Sequence, residues 1–303
     1  MELGIPQPAR ITKLFGNDVL GRVERLRINS SHRFTNRMRG EHLRGKGGQS
    51  TEFADYRDYV EGDDIRFIDW NIFSRLQRPY LKLFHMEEEM HVVLLLDASS
   101  SMLFEDKLQR AKQMAAAFGV MGLFNVEKVS IFAFNRTDTK APERLPPCSG
   151  RGSMRQLFAF LEEIEGGGDA PLEEGIEKML RHHRGRGVAV ILSDFLTYGD
   201  LRKALNLVYS SGLETFGLQI LGPTEIDPDV TGDLRFVDSE TENMLDVTSV
   251  GNLLNLYQEY RLAYQRNLEV LCQQRAGRFI SISAADQLNE VLFDLLRRKG
   301  WVV

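Results

Sequence analysis

The sequence predicts an α/β protein: a doubly wound, mostly parallel sheet between helix layers, preceded by a small N-terminal module that is helical and β-rich. Three observations predict it. Short unbroken apolar runs at His91–Leu96 and Gly187–Leu192 read as strands buried on both faces, as parallel strands between helices are. From residue 91 onward such runs alternate with stretches of helical periodicity, a pattern that right-handed crossovers connect. Two of the runs end in a carboxylate, Asp97 and Asp194, at the end of the sheet where open α/β folds place their ligand sites.

The chain divides by composition into residues 1–46, 47–90 and 91–303. The first segment carries ten Lys/Arg against four Asp/Glu. Within Arg10–Arg39, Leu14, Phe15, Val19, Leu20, Val23 and Leu26 recur at helical spacing, which predicts one or two amphipathic helices with a basic, solvated face. Gly45-Lys-Gly-Gly48 breaks the pattern. In the second segment Thr51–Val60, Ile65–Phe73 and Tyr80–Phe84 are rich in aromatic and β-branched residues. They read as strands, with Glu61-Gly-Asp-Asp64 as a turn. Trp70 and Phe73 are assigned to the core of this module. Asp63, Asp64 and Asp69 lie close in sequence to Arg57, Arg66 and Arg75, so ion pairing and turn capping account for them better than a nuclease centre does.

In the third segment, Glu105–Leu123 places Leu108, Ala111, Ala115, Phe118 and Gly122 on one helical stripe. Lys128–Asn135 is a strand, and helices Met154–Glu165 and Leu172–His183 flank Gly166-Gly-Gly-Asp169. Helix Leu201–Tyr209 and strand Thr215–Leu221 follow, then an edge hairpin of Leu234–Asp238 and Met244–Val247. A long helix at Val250–Gln274, a strand at Phe279–Ile282 and a helix at Gln287–Arg298 close the fold. Strand 91–96 belongs in the sheet interior.

Bulk properties narrow the function classes. A net charge of −5 argues against general nucleic-acid affinity. No segment reaches the roughly 18 consecutive apolar residues of a membrane span, and Met1–Arg10 lacks the layout of a secretory signal. Cys148 and Cys272 stand far apart and outside any C-x-x-C pair, which fits a reducing compartment. A cytoplasmic protein is expected.

The chemistry-bearing segment is Asp97-Ala-Ser-Ser-Ser101. Residues at i, i+2 and i+4 of an extended loop can face one way, so Asp97, Ser99 and Ser101 converge as three hard oxygen donors suited to Mg²⁺. The plainer readings are a Ser-rich strand-to-helix turn and, for Asp194, a helix N-cap. The Asp-x-Ser-x-Ser pattern resembles the metal-ion-dependent adhesion site of von Willebrand factor A domains. Enzymatic readings fit less well. Phosphatases of the haloacid dehalogenase type need a second Asp where Ser99 stands. There is no G-x-S-x-G elbow and no G-x-x-x-x-G-K-[ST] loop, and adjacent helical residues such as His182 and His183 point apart. A metal-dependent phosphatase-like hydrolase, or nucleic-acid binding through the basic N-terminal arm, stays as the alternative.

A more specific likeness runs through Gly45-Lys-Gly-Gly-Gln-Ser-Thr-Glu-Phe53, Arg57-Asp-Tyr-Val-Glu-Gly-Asp-Asp-Ile-Arg66, Ile68-Asp-Trp70, Ser74-Arg75, Leu81-Lys-Leu-Phe84, Leu96-Asp-Ala-Ser-Ser-Ser-Met102 and Asp238-Ser-Glu-Thr241. These residues resemble the bacterial von Willebrand factor A-like proteins known as domain of unknown function 58, over residues 44 to 300. The resemblance implies a non-enzymatic, chaperone-like adaptor. It implies partnership with a MoxR-type AAA+ ATPase and other von Willebrand factor A proteins, in protein remodelling or in cofactor or metal loading. It also implies a metal ligand set of Asp97, Ser99, Ser101 and Asp194. The chain departs from the adhesion-site pattern at Gly168, which stands where a Thr ligand is expected and leaves Asp169 to supply the missing oxygen. A milder departure puts Phe195, rather than Gly, after Asp194.

Overall fold

The computed structural model describes residues 10–30, 35–37, 53–87, 90–125, 127–135, 144–228, 234–237, 244–247 and 251–303. Asp238–Thr241 and most of the Gly45–Phe53 motif lie outside the described residues. The described residues form two compact units, one from 10–30 together with 90–303, the other between residues 32 and 89.

The larger unit is built on a six-stranded sheet. In chain order its strands are β4 (His91–Asp97), β5 (Lys128–Phe134), β6 (Arg144–Cys148), β7 (Gly187–Ser193), β8 (Leu213–Leu221) and β11 (Arg278–Ser283). They lie in the order β11-β8-β7-β4-β5-β6, parallel except for β6. β4 is interior, between β7 and β5. Its alternate residues serve two cores: Val92, Leu94 and Leu96 face one, Val93 and Leu95 the other. All five are fully buried, and each contributes on the order of 2 kcal/mol of hydrophobic stabilisation. The first core is closed by α3 (Lys107–Phe124), α4 (Met154–Glu162) and the helical segment 288–298. The second is closed by α5 (Leu172–His182), α6 (Leu201–Ser210) and α8 (Gly251–Gln273).

Several local expectations differ from what the chain does. The sixth strand of the sheet is β6, which contains Pro146 and Pro147. It pairs antiparallel with β5 across a register shift, as a strand lacking two amide donors can only at an edge. The hairpin of β9 (Leu234–Val237) and β10 (Met244–Val247) forms a separate two-stranded sheet instead of the edge. The closing helix is interrupted by a π-helical stretch, Val291–Leu295. Residues 10–30 belong to the α/β unit rather than to a detached basic segment. There the helical spacing marks the buried residues correctly, but the helix α1 is only Asn17–Val23, and Leu14, Phe15 and Leu26 are buried outside it. The Thr12 hydroxyl donates to Glu162 at 2.5 Å, and Ile28 bridges Val302 beside the buried Trp301.

The smaller unit is an antiparallel sheet in the order β1-β3-β2, with β1 Thr35–Arg37, β2 Phe53–Asp58 and β3 Tyr80–Glu87. The stretch Ile65–Phe73, expected as a strand, is a 3-10 turn at Ile65–Phe67 and the start of α2 (Trp70–Leu76). Two caps decide this against β propensity. Asp64 accepts from the Arg66 amide, and Asp69 from the Asn71 and Ile72 amides. The Lys82 ammonium, 3.0 Å away, holds the Asp69 carboxyl down at about 2. Arg57 is paired with Asp63 at 2.7 Å and Arg66 with Asp64 at 2.6 Å. Trp70 is 60% exposed and is not core.

Candidate functional site

Parallel strands that end side by side deliver their next residues to one edge, and β4 and β7 are neighbours in register up to Leu96 and Leu192. Asp97 and Asp194, nearly a hundred positions apart in the chain, therefore meet at the carboxyl end of the sheet. Ser193 joins them: its hydroxyl donates to Asp97 Oδ2 at 2.7 Å and accepts from the Phe195 amide at 2.9 Å.

Asp97 is 5% exposed. Its Oδ1 accepts from the Ser99 amide at 2.9 Å and from the Asn135 side-chain amide at 3.3 Å. Every one of these donors is neutral. Burial raises the Asp97 pKa, the nearby Asp194 charge adds to that, and the hydrogen bonds from Ser193 and Ser99 oppose it. The Ser99 and Ser101 hydroxyls face each other at 3.1 Å, Ser99 buried and Ser101 partly open to solvent. The structure thus brings three of the five predicted residues together as one carboxyl group with two hydroxyl oxygens.

Asp194 differs. It is 2% exposed and bound at 2.9 Å to the ammonium of Lys107, the first residue of α3, whose side chain is wholly buried. The other Asp194 oxygen accepts from the Leu196 amide at 3.0 Å. Lys107 also reaches Glu225 at 2.6 Å. Asp169 is exposed and lies away from this inner cluster's hydrogen bonds.

The loop expected to carry the missing ligand does approach, through its backbone. The Gly167 amide donates to the Ala98 carbonyl at 2.8 Å, and the Ser100 amide and hydroxyl donate to the Gly168 and Gly167 carbonyls, both at 2.8 Å. A Cβ on Gly168 would stand 2.8 Å from Asn135 Cα and one on Gly166 2.6 Å from the Ala98 carbonyl oxygen. The glycines permit this contact, and at Gly168 they exclude the Thr side chain. Asn135 fastens the loop, donating to the Ala170 carbonyl and accepting from its amide, both at 2.8 Å.

Lys107, Asn135 and Ser193 were not singled out from the sequence. Lys107 sits four residues before Ala111 and seven before Met114, on a buried helix face, which is the signal that could have found it. Asn135 follows a strand and adopts φ 60°, a conformation Asn tolerates better than most residues. Ser193 carries no such signal.

Carboxylate and hydroxyl oxygens suit a hard divalent cation. Asp97, Ser99 and Ser101 fit one, since burial raises the Asp97 pKa and a bound cation would favour its charged form. Among the described residues no group of three or more His, Cys, Asp or Glu could hold a metal, so the hydroxyls are essential to such a set. Nor is any described helix long and apolar enough to cross a membrane.

Comparisons with known proteins give relatives by sequence and a family. The chain is 28% identical over 212 residues to Uncharacterized protein Rv1480 of Mycobacterium tuberculosis, covering 67% of this chain and 65% of that protein. It therefore spans just under two thirds of that relative's length. Among solved structures it is similar to the conserved hypothetical protein BatB from Bacteroides thetaiotaomicron, with TM-score 0.40 and 16% identity over 67% of this chain and 93% of that one. It is also similar to a von Willebrand factor type A protein from Catenulispora acidiphila, with TM-score 0.34 and 15% identity over 46% and 35% of the two chains. The model of the family Protein of unknown function DUF58 matches residues 55–269, well over half of the chain, and the chain belongs to that family.

Proposed function

We propose that this chain is a non-enzymatic protein-interaction adaptor whose partner docks over the carboxyl end of the parallel sheet, onto a Mg²⁺ ion held by Asp97, Ser99 and Ser101. The observation that carries the reading is the buried Asp97 carboxylate, held by neutral donors alone, beside two hydroxyls that face each other at 3.1 Å. Such a set offers a cation one carboxylate and two hydroxyls and leaves about half of an octahedral shell to water, which a partner's carboxylate can displace. Among the described residues, the second carboxylate beside Asp97 is Asp194, and its ion pair with Lys107 at 2.9 Å occupies it, so the arrangement favours binding over chemistry.

The surroundings support docking. Leu103 and Phe104 after β4, and Leu196 and Tyr198 after β7, are all exposed on the loops that frame Asp97. Apolar and aromatic side chains around a charged centre supply the area that an ionic contact by itself does not. The partner of choice is a MoxR-type AAA+ ATPase, the implication of the family resemblance, with a cytoplasmic setting. Asp97→Ala and Ser99→Ala should each lose the ATPase in pull-downs while keeping the circular dichroism of the wild type. Binding retained by both variants would move the interface elsewhere and leave the Asp-x-Ser-x-Ser loop as structure.

A further inference from the structure

We propose that Lys107 is a built-in counter-ion that withholds Asp194 from the cation site, so that Asp97, Ser99 and Ser101 are its protein ligands and Lys107 sets its affinity as a positioning residue. This rests on the cation reading above and names a residue that the adhesion-site pattern does not contain.

The geometry is specific. The Lys107 ammonium lies 2.9 Å from Asp194 and 2.6 Å from Glu225, inside the protein. The remaining oxygens of both carboxylates are also engaged, Asp194 by the Leu196 amide and Glu225 by the Gly222 amide at 2.6 Å. The Asp194 carbonyl is held by Gln219 at 2.9 Å. Asp194 is thus held by three separate partners, Lys107, the Leu196 amide and Gln219. Burial by itself would lower the Lys107 pKa, but Asp194 and Glu225 outweigh it and raise it, so the ammonium keeps its charge. A fixed positive charge bonded to Asp194 also repels a second cation from that side.

The chain accepts strain to put the lysine there. Glu105 and Asp106, immediately before it, adopt φ 48° and 59° without being glycine, a conformation that costs of order 1 kcal/mol or more per residue. The Glu105 carboxylate holds this turn in place, accepting from the Thr224 amide at 3.0 Å and its hydroxyl at 2.8 Å. Residues 105–107 are consequently tied to residues 222–225 by three side-chain contacts. A surface lysine that happened to fall near an acid would need none of this.

The consequence for the site is quantitative. An octahedral cation with three protein ligands keeps roughly three positions for water or partner. Released from Lys107, Asp194 would add a second carboxylate and tighten the site at the expense of those open positions.

The test uses the full chain and Mg²⁺ alone, with calorimetric titration and thermal melts against EDTA. Asp97→Asn should abolish the Mg²⁺ response. Asp194→Asn, which leaves Lys107 paired with Glu225, should bind Mg²⁺ within about twofold of wild type. Lys107→Met should be less stable in EDTA and bind Mg²⁺ at least tenfold more tightly, with the gain lost in the Lys107→Met/Asp194→Asn double variant. If Lys107→Met does not fold in EDTA, recovery of its fold by added Mg²⁺ reads the same gain. A tenfold weakening in Asp194→Asn would make Asp194 a ligand and overturn the proposal. So would unchanged Mg²⁺ affinity in Lys107→Met. If wild type shows no Mg²⁺ response, the cation reading falls separately. A response that appears in Lys107→Met and disappears in the double variant would still uphold the withholding role, and its absence would end it.

Discussion

Asp97 and Asp194 begin as the same sequence signal, a carboxylate after a run of buried apolar residues, and end in opposite electrostatic states. Both are nearly inaccessible to solvent, at 5% and 2% exposure, and both terminate adjacent parallel strands. Asp97 meets an amide, a carboxamide and a hydroxyl, and burial pushes its pKa up. Asp194 meets an ammonium. The difference comes from outside both strands, from the first residue of α3. A strand end supplies the position of a charge, and the helix packed over it decides whether that charge is open or spent.

The largest effect should come from breaking the compensated side. Removing one partner of a buried pair leaves an uncompensated charge, at a cost of about 3–5 kcal/mol. Lys107→Met in EDTA should therefore lose stability in that range by urea denaturation, and a loss below 1 kcal/mol would mean that the pair is solvated. On the open side, saturating Mg²⁺ at a hundred times its Kd should stabilise wild type by about 2.7 kcal/mol. Asp97→Ala should show none of this, and identical wild-type melts in Mg²⁺ and EDTA would remove the cation.

Restoring the expected ligand should fail. Gly168→Thr drives a Cβ to within 2.8 Å of the Asn135 backbone, and overpacking of this kind costs about 1–3 kcal/mol. The variant should melt lower with no gain in Mg²⁺ affinity; tighter binding would show that the loop can yield. Asn135→Ala should cost about 1–2 kcal/mol, by leaving the Ala170 amide and carbonyl without their partner.

The pH dependence sharpens the contrast further. Asp97 has a raised pKa, so the folded state holds that proton more tightly than the unfolded one. Its contribution is fully present below the ordinary carboxyl value and is lost as pH rises through the folded value. Glu127, pushed by burial from 4.5 to about 8 against the pull of Arg27, acts with the same sign. Glu127→Gln should flatten the fall in stability between pH 4.5 and 8 and gain on the order of 1 kcal/mol at pH 8. An unchanged slope in Glu127→Gln would assign that fall to other groups.

Much of the larger unit was legible in advance because its strands are long apolar runs that two helix layers must cover, and β4, β5, β7 and β8 follow from that alone. The short pieces were harder. At Ile65–Phe73 β-branched and aromatic residues outvoted two Asp caps whose worth depends on which amides they reach. At Arg144–Cys148 two prolines hid a strand that an edge can tolerate. In the site, Asp97, Ser99 and Ser101 could be read together because they are consecutive alternate residues. Asn135 and Ser193 could not, because each reaches Asp97 across the fold, and Lys107 shows in the sequence only as a charge on a buried helix face.

The sequence by itself determined the sheet, its two-sided burial and the arrival of two carboxylates at one end, since apolar periodicity dictates these through area removed from water. The tertiary structure alone decided which carboxylate carries a counter-ion, and that the loop at Gly166–Gly168 contributes backbone rather than a ligand. Both outcomes turn on ångström-scale approach between segments distant in the chain. Coulombic and steric terms change steeply over such distances, and no local pattern of residues encodes them.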